Sequence, residues 1–566
     1  MIVSAVSLWK KFDVTAPLDI REWGVTEEDG LRLSHVRFSG HRVGEEAVRI
    51  YARWIKPISE KKVPAIVLLG DAGKPVDEQL ARFFSDKGYA VLMPDYSGKT
   101  STDTEDTLRT EYPETLAYGN LETQQGFADM TGVDVEKSCW FEWTYVALYA
   151  VEFLTRMQAV GNVGVVGVRV GGDIAWQTLL SPKVKSGVPI NAVGWKSFLG
   201  TAKFGENVAH NFSEDEHRYI AVTEAQSYAP YVKCPVLMLC ALRDDRCDCD
   251  RAYDTFSRLG SDRDCALYYA PESGACLGPN ALINMELFLE KTLKGREIYI
   301  PETPNVTITE TEDGIGITFE GDSEGILEEA GLYYAESDSR TNCAYRDWHK
   351  IYETDGKSVK NHKFTYNRRA FAGAPAVFAF AYAKYINGYR VVSKIACKRI
   401  SNPNPNAVKN RMLFSGKGVD TFCVGEYKGY SIGDIFLERT AEPKNILGYG
   451  NVYGAFSVGG VKTYKISSPR YAPDENALLE FDVYFKETDT LTVCIEASEK
   501  QTGSEKYVYE TPIKGGGKWK RIILKAGDFK SGNTGMSLKS FTQGRAISFD
   551  CLSDETEFAV TNILWL

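Results

Sequence analysis

The stretch NVGVVGVRVGG, residues 162–172, runs without a break from an apolar strand into a turn of small residues. After Asn162 the run to Val168 holds only valine and glycine. That suits a short strand covered on both faces rather than one with a wet side. The turn that follows, Gly167-Val-Arg169-Val170-Gly171-Gly172, keeps glycine where a strand must swing sharply into a helix. By itself such a turn marks only a strand–helix junction. Any chemical meaning depends on its neighbours.

Working outward, strand and helix patterns alternate. AIVLLG (65–70) is a short apolar run ending in a glycine turn, a helix follows at 76–87, and GYAVLMPDYSG (88–98) reads as the next strand and its loop. CWFEWTYVALYAVEFLTRM (139–157) has helical length and period, PVLMLCA (235–241) is another strand, and helices are predicted over 250–259 and 280–295. This alternation predicts a mostly parallel sheet flanked by helices across residues 1–300. After Pro301 the character changes to short alternating strands, such as GIGITFE, GLYYAES and AVFAFAYAKY. Residues 301–400 are therefore expected to form a β-sandwich of immunoglobulin or fibronectin type, serving as a spacer. SNPNPNAVKN (401–410) is a turn-rich linker. The rest of 401–566, with ALLEFDVYF, LTVCIEAS, KWKRIILK and FAVTNILWL, has the strand count of a jelly-roll sandwich.

Composition narrows the function. The 566 residues are 43% hydrophobic and 25% charged, ordinary for a multidomain globular chain. A formal charge of −10 argues against nucleic-acid or anionic-membrane partners, which need basic patches. The opening MIVSAVSLWKKFDV places its lysines after the short apolar run, the reverse of a secretory signal. The twelve cysteines lack the dense spacing of a disulfide framework, and Cys240, Cys494 and Cys551 sit in strand-like runs as small hydrophobes. The expectation is a cytoplasmic, bacterial-type protein, in which Asn211-Phe-Ser and Asn305-Val-Thr are chance sequon matches.

Residues 60–295 resemble the α/β-hydrolases, in particular the dienelactone-hydrolase and acetyl-xylan-esterase branch. The resemblance rests on AIVLLGDAG, GYAVLMPDYSG, the long helix from Cys139, GVVGVRVGG and KCPVLMLCALRDD, in that order. It implies that Gly167–Gly172 is a former nucleophile elbow, in which a G-x-S-x-G turn lifts a serine out of the sheet. Here the central residue is Arg169. A guanidinium stays protonated and has no lone pair to offer, so it forms no acyl-enzyme. The resemblance also places the triad acid at Asp244, beside Asp245, and the triad histidine near Ala275 in YYAPESGACLGP (268–279). No histidine stands between His217 and His349, so the base is missing as well. His210 and His217 precede Asp244, the wrong order for this fold.

Several readings stay open at this stage. Asp244 faces the old pocket or is a solvated loop acid. Gly70-Asp71-Ala72-Gly73 corresponds to the oxyanion-hole loop, whose N–H groups bind an anion or carbonyl, or else it is a plain turn. Arg169, followed by Val170, either pairs with Asp244 or Asp71 and plugs the site, or offers its donors to a carboxylate or phosphate ligand. Cys247-Asp-Cys249-Asp250 lacks a second ligand pair, so acid capping of a helix is expected rather than a metal centre. Cys276 has no predicted histidine to activate it as a substitute nucleophile.

The C-terminal segment GGGKWKRIILKAGDFKSG (515–532), with its closing strand, resembles carbohydrate-binding jelly rolls, in which Trp519 and Phe529 stand as core residues. The resemblance allows a structural calcium and no other cofactor. Tyr427, Tyr430, Tyr449 and Tyr453 are read as packing before sugar platforms. The functional expectation is a catalytically inactive esterase-like protein that binds or scaffolds, with a small-molecule or carbohydrate-related ligand or an active paralogue as partner. The alternatives are an ester hydrolase with a non-standard nucleophile, or a sugar-binding jelly roll carrying a structural hydrolase domain.

Overall fold

The computed structural model describes residues 4–123, 134–198, 201–205, 212–260, 264–271, 276–312, 314–416, 422–424, 444–447, 452–457, 459–498, 504–553 and 556–566. A short helix α1 (Ala5–Trp9) precedes three strands, β1 (Arg21–Glu28), β2 (Leu31–Val43) and β3 (Glu46–Pro57). The alternating part follows as β4 (Val63–Leu69), α2 (Glu78–Asp86), β5 (Ala90–Pro94), α3 (Cys139–Arg156), β6 (Val160–Val168), α4 (Val170–Thr178) and β7 (Val184–Ile190). It continues through α5 (Glu214–Thr223), α6 (Ala225–Tyr228), β8 (Leu237–Ala241), α7 (Cys249–Phe256), β9 (Ala266–Ala270) and α8 (Gly278–Lys294). The strands form one nine-stranded sheet in the order β1-β2-β3-β5-β4-β6-β7-β8-β9.

From β5 through β9 every pairing is parallel, whereas β1, β2, β3 and β5 pair antiparallel. The chain turns outward from β4 to β5 and then crosses back over β4 to β6. Beyond the carboxyl ends of β4 and β6 lies the crevice that open α/β sheets use for ligands. The central strands are buried on both faces, which is why they read as unbroken apolar runs. In α3 every residue from Cys139 to Leu154 is buried, so the helix shows little amphipathic period.

Residues 305–399 build two antiparallel sheets, one of three strands and one of five. The described strands from Met412 onward build two more, of six strands each. The middle segment is no spacer. A single hydrophobic core runs from Ala5 to Ile395, through the large sheet and the two middle sheets, while Leu413 to Trp565 encloses a second core. Phe378 and Phe380 of the middle segment meet Phe204 and Tyr269 edge-on, at 5.8 and 5.6 Å. The fully buried Arg346 of the middle segment forks both Asp250 oxygens at 2.6 Å and lies 3.7 Å over Phe378. The last unit leans on the same place, with Tyr464 stacked 4.0 Å from the Arg243 guanidinium.

Candidate active site

β6 ends at Val168 and α4 starts at Val170, leaving Arg169 alone at the corner with φ 53° and ψ −113°. Such a backbone is strained for any residue with a Cβ. Three glycines make the corner feasible. A Cβ on Gly167 would stand 2.2 Å from the Gly171 oxygen, one on Gly171 2.3 Å from the Gly70 oxygen, and one on Gly172 2.6 Å from the Ala192 Cβ. The corner is thus a tightly packed strand–helix turn that presents the Arg169 side chain.

The guanidinium reaches back over the crevice. Its Nη2 lies 3.3 Å from Asp244 Oδ2 and its Nη1 3.8 Å from Asp71 Oδ2. Asp244 stands in the loop after β8 with its side chain 2% exposed, whereas those of Arg169 and Asp71 are 28% and 18% exposed. The Asp244 Oδ1 accepts the Arg246 N–H at 3.1 Å; Oδ2 has the Arg169 charge but no well-aligned donor. Burial pushes the Asp244 carboxyl above its usual range, and Arg169 is the strongest force holding it down.

Asp71 occupies the other half of the crevice. Its Oδ1 accepts the Ala72 N–H at 3.0 Å and the Val170 N–H at 3.4 Å. Val170 directly follows the elbow residue, and Ala72 lies in the loop after β4, which Tyr96 holds by donating its hydroxyl to the Gly70 oxygen at 2.7 Å. In an α/β-hydrolase, N–H groups from these two places stabilise the oxyanion of the tetrahedral intermediate. Here they hold a carboxylate from the chain itself. The structure therefore brings together Gly70, Asp71, Ala72, Arg169, Val170 and Asp244. Ala275 lies outside the described residues, and Cys276 beside it is buried.

One turn along α4, Asp173 adds a charge that sequence reasoning missed. It is 1% exposed, its carboxyl is pushed up to about 6 by burial, and the Lys196 ammonium paired with it opposes that shift. Lys196 also lies 4.8 Å over Trp140. The spacing of four from Arg169 on a helix was the available signal for Asp173; nothing in the sequence pointed to Lys196.

The expected capping by the Cys247–Asp250 cluster is not made. Asp248 precedes α7 without a side-chain cap and pairs with Arg251, while Asp250 turns to Arg346. A buried guanidinium offers Asp250 two charge-assisted bonds, which outweigh one helix N–H. Among the described residues no group of three or more His, Cys, Asp or Glu is arranged to hold a metal ion. Nor does any described helix have the length and apolarity to cross a membrane.

A buried strand, a tight turn and a helix thus meet at the switch point of a mostly parallel sheet. No family model matches the sequence, and no curated protein matches it. Solved structures similar to the chain include acetyl xylan esterase 1 from Thermoanaerobacterium sp. JW/SL YS485, at 16% identity, 48% of this chain, 88% of that chain and a TM-score of 0.37. Acetyl xylan esterase from Paenibacillus sp. R4 follows at 17%, 51%, 92% and 0.38. The Pyrococcus horikoshii acylaminoacyl peptidase stands at 18%, 53%, 45% and 0.34.

Proposed function

We propose that residues 1–300 are an α/β-hydrolase-fold domain that no longer hydrolyses esters and works by binding or scaffolding. The observation that carries this reading is Arg169 at the elbow, its guanidinium between Asp71 and Asp244. The site lacks a nucleophile at the one position that the elbow presents, and its anion-stabilising N–H pair is already satisfied by Asp71. The acid loop is also tied down from outside. Arg243, next to Asp244, donates to the main-chain oxygens of Arg346 and Trp348, and Asp245 accepts from the Tyr345 hydroxyl at 3.1 Å. A loop clamped in this way suits a joint between domains better than a reacting centre.

The test is turnover of short-chain aryl esters and acetylated xylo-oligosaccharides by the full chain, together with fluorophosphonate labelling. The expected result is no turnover above a heat-denatured control and no labelled peptide. Stoichiometric labelling of one residue, with turnover, would overturn the reading and identify a non-standard nucleophile.

One observation favours a second reading, sugar binding by the C-terminal sandwich. Phe529 is fully buried, as expected, but Trp519 is not a core residue. It pairs in register with Tyr484 on the face of the sheet opposite Phe481, Val483 and Phe485, with the two rings 5.6 Å apart. Its ring overlies Gly454, where a Cβ would come within 2.6 Å of it. Asp482, which accepts from Arg521 at 3.0 Å and from Asn562 at 2.7 Å, flanks the rings on that face. An indole face beside polar groups suits a pyranose ring. Tyr453 is half exposed, while Tyr427, Tyr430 and Tyr449 lie outside the described residues. On a glycan array the full chain is expected to bind at least one oligosaccharide, with Trp519→Ala weakening it more than tenfold. Silence of the wild-type chain removes this reading.

A further inference from the structure

At the end of the central strands opposite the crevice, the surface opens into a second pocket. Its volume is about 220 Å³, and Val63, Ala90 and Val160, the first residues of β4, β5 and β6, line it. The length of β4, at roughly 3.3 Å per residue, puts it about 20 Å from the crevice. The register of the opening strands decides which side chains face it. Glu27 pairs with Arg32 and Arg32 with Lys56, so the three stand in one row on one face of the sheet. Trp54, two residues before Lys56, points to the same face and meets Phe153 of α3 edge-on at 5.8 Å. Lys61 joins the lining from the loop between β3 and β4, and so does Ile58, which is 57% exposed.

The charges around this pocket are unequally shared. Arg32 has two carboxylates, Glu22 at 3.4 Å and Glu27 at 3.8 Å. Among the described residues neither Lys56 nor Lys61 is paired with a carboxylate, and none accepts from the Trp54 indole N–H. Trp54 is 5% exposed, and an indole so far buried ordinarily finds an acceptor. Two spare cations and a spare donor beside an apolar wall suit an anion with an apolar body. Size narrows the choice. A cavity of about 150 Å³ holds one benzene ring, so this one has space for a ring and a small charged group. Glu27, on the same row as Lys56, disfavours a second negative charge on the ligand.

We propose that this pocket binds a small aromatic monocarboxylate, with the ring against Trp54 and Ile58 and the carboxylate on the Lys56 and Lys61 ammonium groups. The Trp54 indole N–H supplies a further donor at the inner side. The site is separate from the crevice, and it stands whether or not the crevice binds a ligand of its own.

The experiment is calorimetric titration of benzoate into the full chain, with acetate as the comparison that lacks the ring. The expected result is one benzoate per chain, bound at least tenfold more tightly than acetate. Lys56→Met combined with Lys61→Met keeps the aliphatic stems and removes both charges. It should weaken benzoate at least tenfold, because the bonds lost are charge-assisted. Arg169→Ala should leave benzoate binding unchanged, which separates this site from the crevice. No heat from benzoate at millimolar concentration with the wild-type chain would overturn the proposal. So would binding that survives the double lysine variant and disappears with Arg169→Ala, which would place the carboxylate in the crevice instead.

Discussion

Arg346→Ala is expected to destabilise the first core of the protein by about 3–5 kcal/mol, the cost of leaving one partner of a buried ion pair alone. Arg346 is fully buried, forks both Asp250 oxygens, and gives a third bond to the Thr341 oxygen at 2.9 Å. Its removal strands the Asp250 carboxylate between two domains and leaves a void beside Phe378. The measurement is urea unfolding followed by fluorescence, with the two cores treated as separate transitions. The transition belonging to Ala5–Ile395 should move to lower urea, while that of Leu413–Trp565 should move much less. Asp250→Ala combined with Arg346→Ala should cost less than the sum of the single changes, because the second removal takes away the stranded charge. Strict additivity would mean that the pair does not hold the joint.

Arg169→Ala is expected to cost about 2 kcal/mol, below the figure for a buried pair because Arg169 is partly exposed. Backbone strain does not change, since alanine carries the same Cβ at φ 53°. The loss falls on Asp244, whose carboxyl rises further once the guanidinium is gone. A carboxyl with a raised folded-state pKa is tolerated best when protonated, so its penalty appears as pH rises through that value. The gap between wild type and variant should thus be widest at neutral pH and narrow as the pH falls toward the ordinary carboxyl value of 3.8. A gap that stays constant across that range would show that Arg169 does not hold Asp244. The variant should also gain no esterase activity, because it adds no nucleophile and Asp71 still accepts the Ala72 and Val170 N–H groups.

Much of this was legible in the chain. The β6–α4 junction was readable at 162–172, because a doubly covered strand and a crowded elbow tolerate only small or β-branched residues. That the residue at the turn is arginine rather than serine was equally legible, since it needs only the identity of residue 169. The three opening strands were not singled out, although VRIYARWI (48–55) alternates with the two-residue period of a strand. Asp248 and Asp250 were misread as caps, since local spacing names a partner only when no distant one is stronger. Trp519 was misread as core, because an alternating strand shows two faces and does not say which is covered.

Residue identity along the chain settled the parallel part of the large sheet, the β6–α4 turn and the absence of serine at residue 169, all of which depend on local pattern and on the identity of one side chain. Only the tertiary structure decided where the charges went. Asp71 took the Val170 N–H, Arg169 bridged it to Asp244, and Arg346 crossed from the middle segment to Asp250. Those partners are 98, 75 and 96 residues apart, as their numbers give directly. At such separations no periodicity carries the information, because the pairing is set by how whole layers pack and by the cost of burying a charge without an answer.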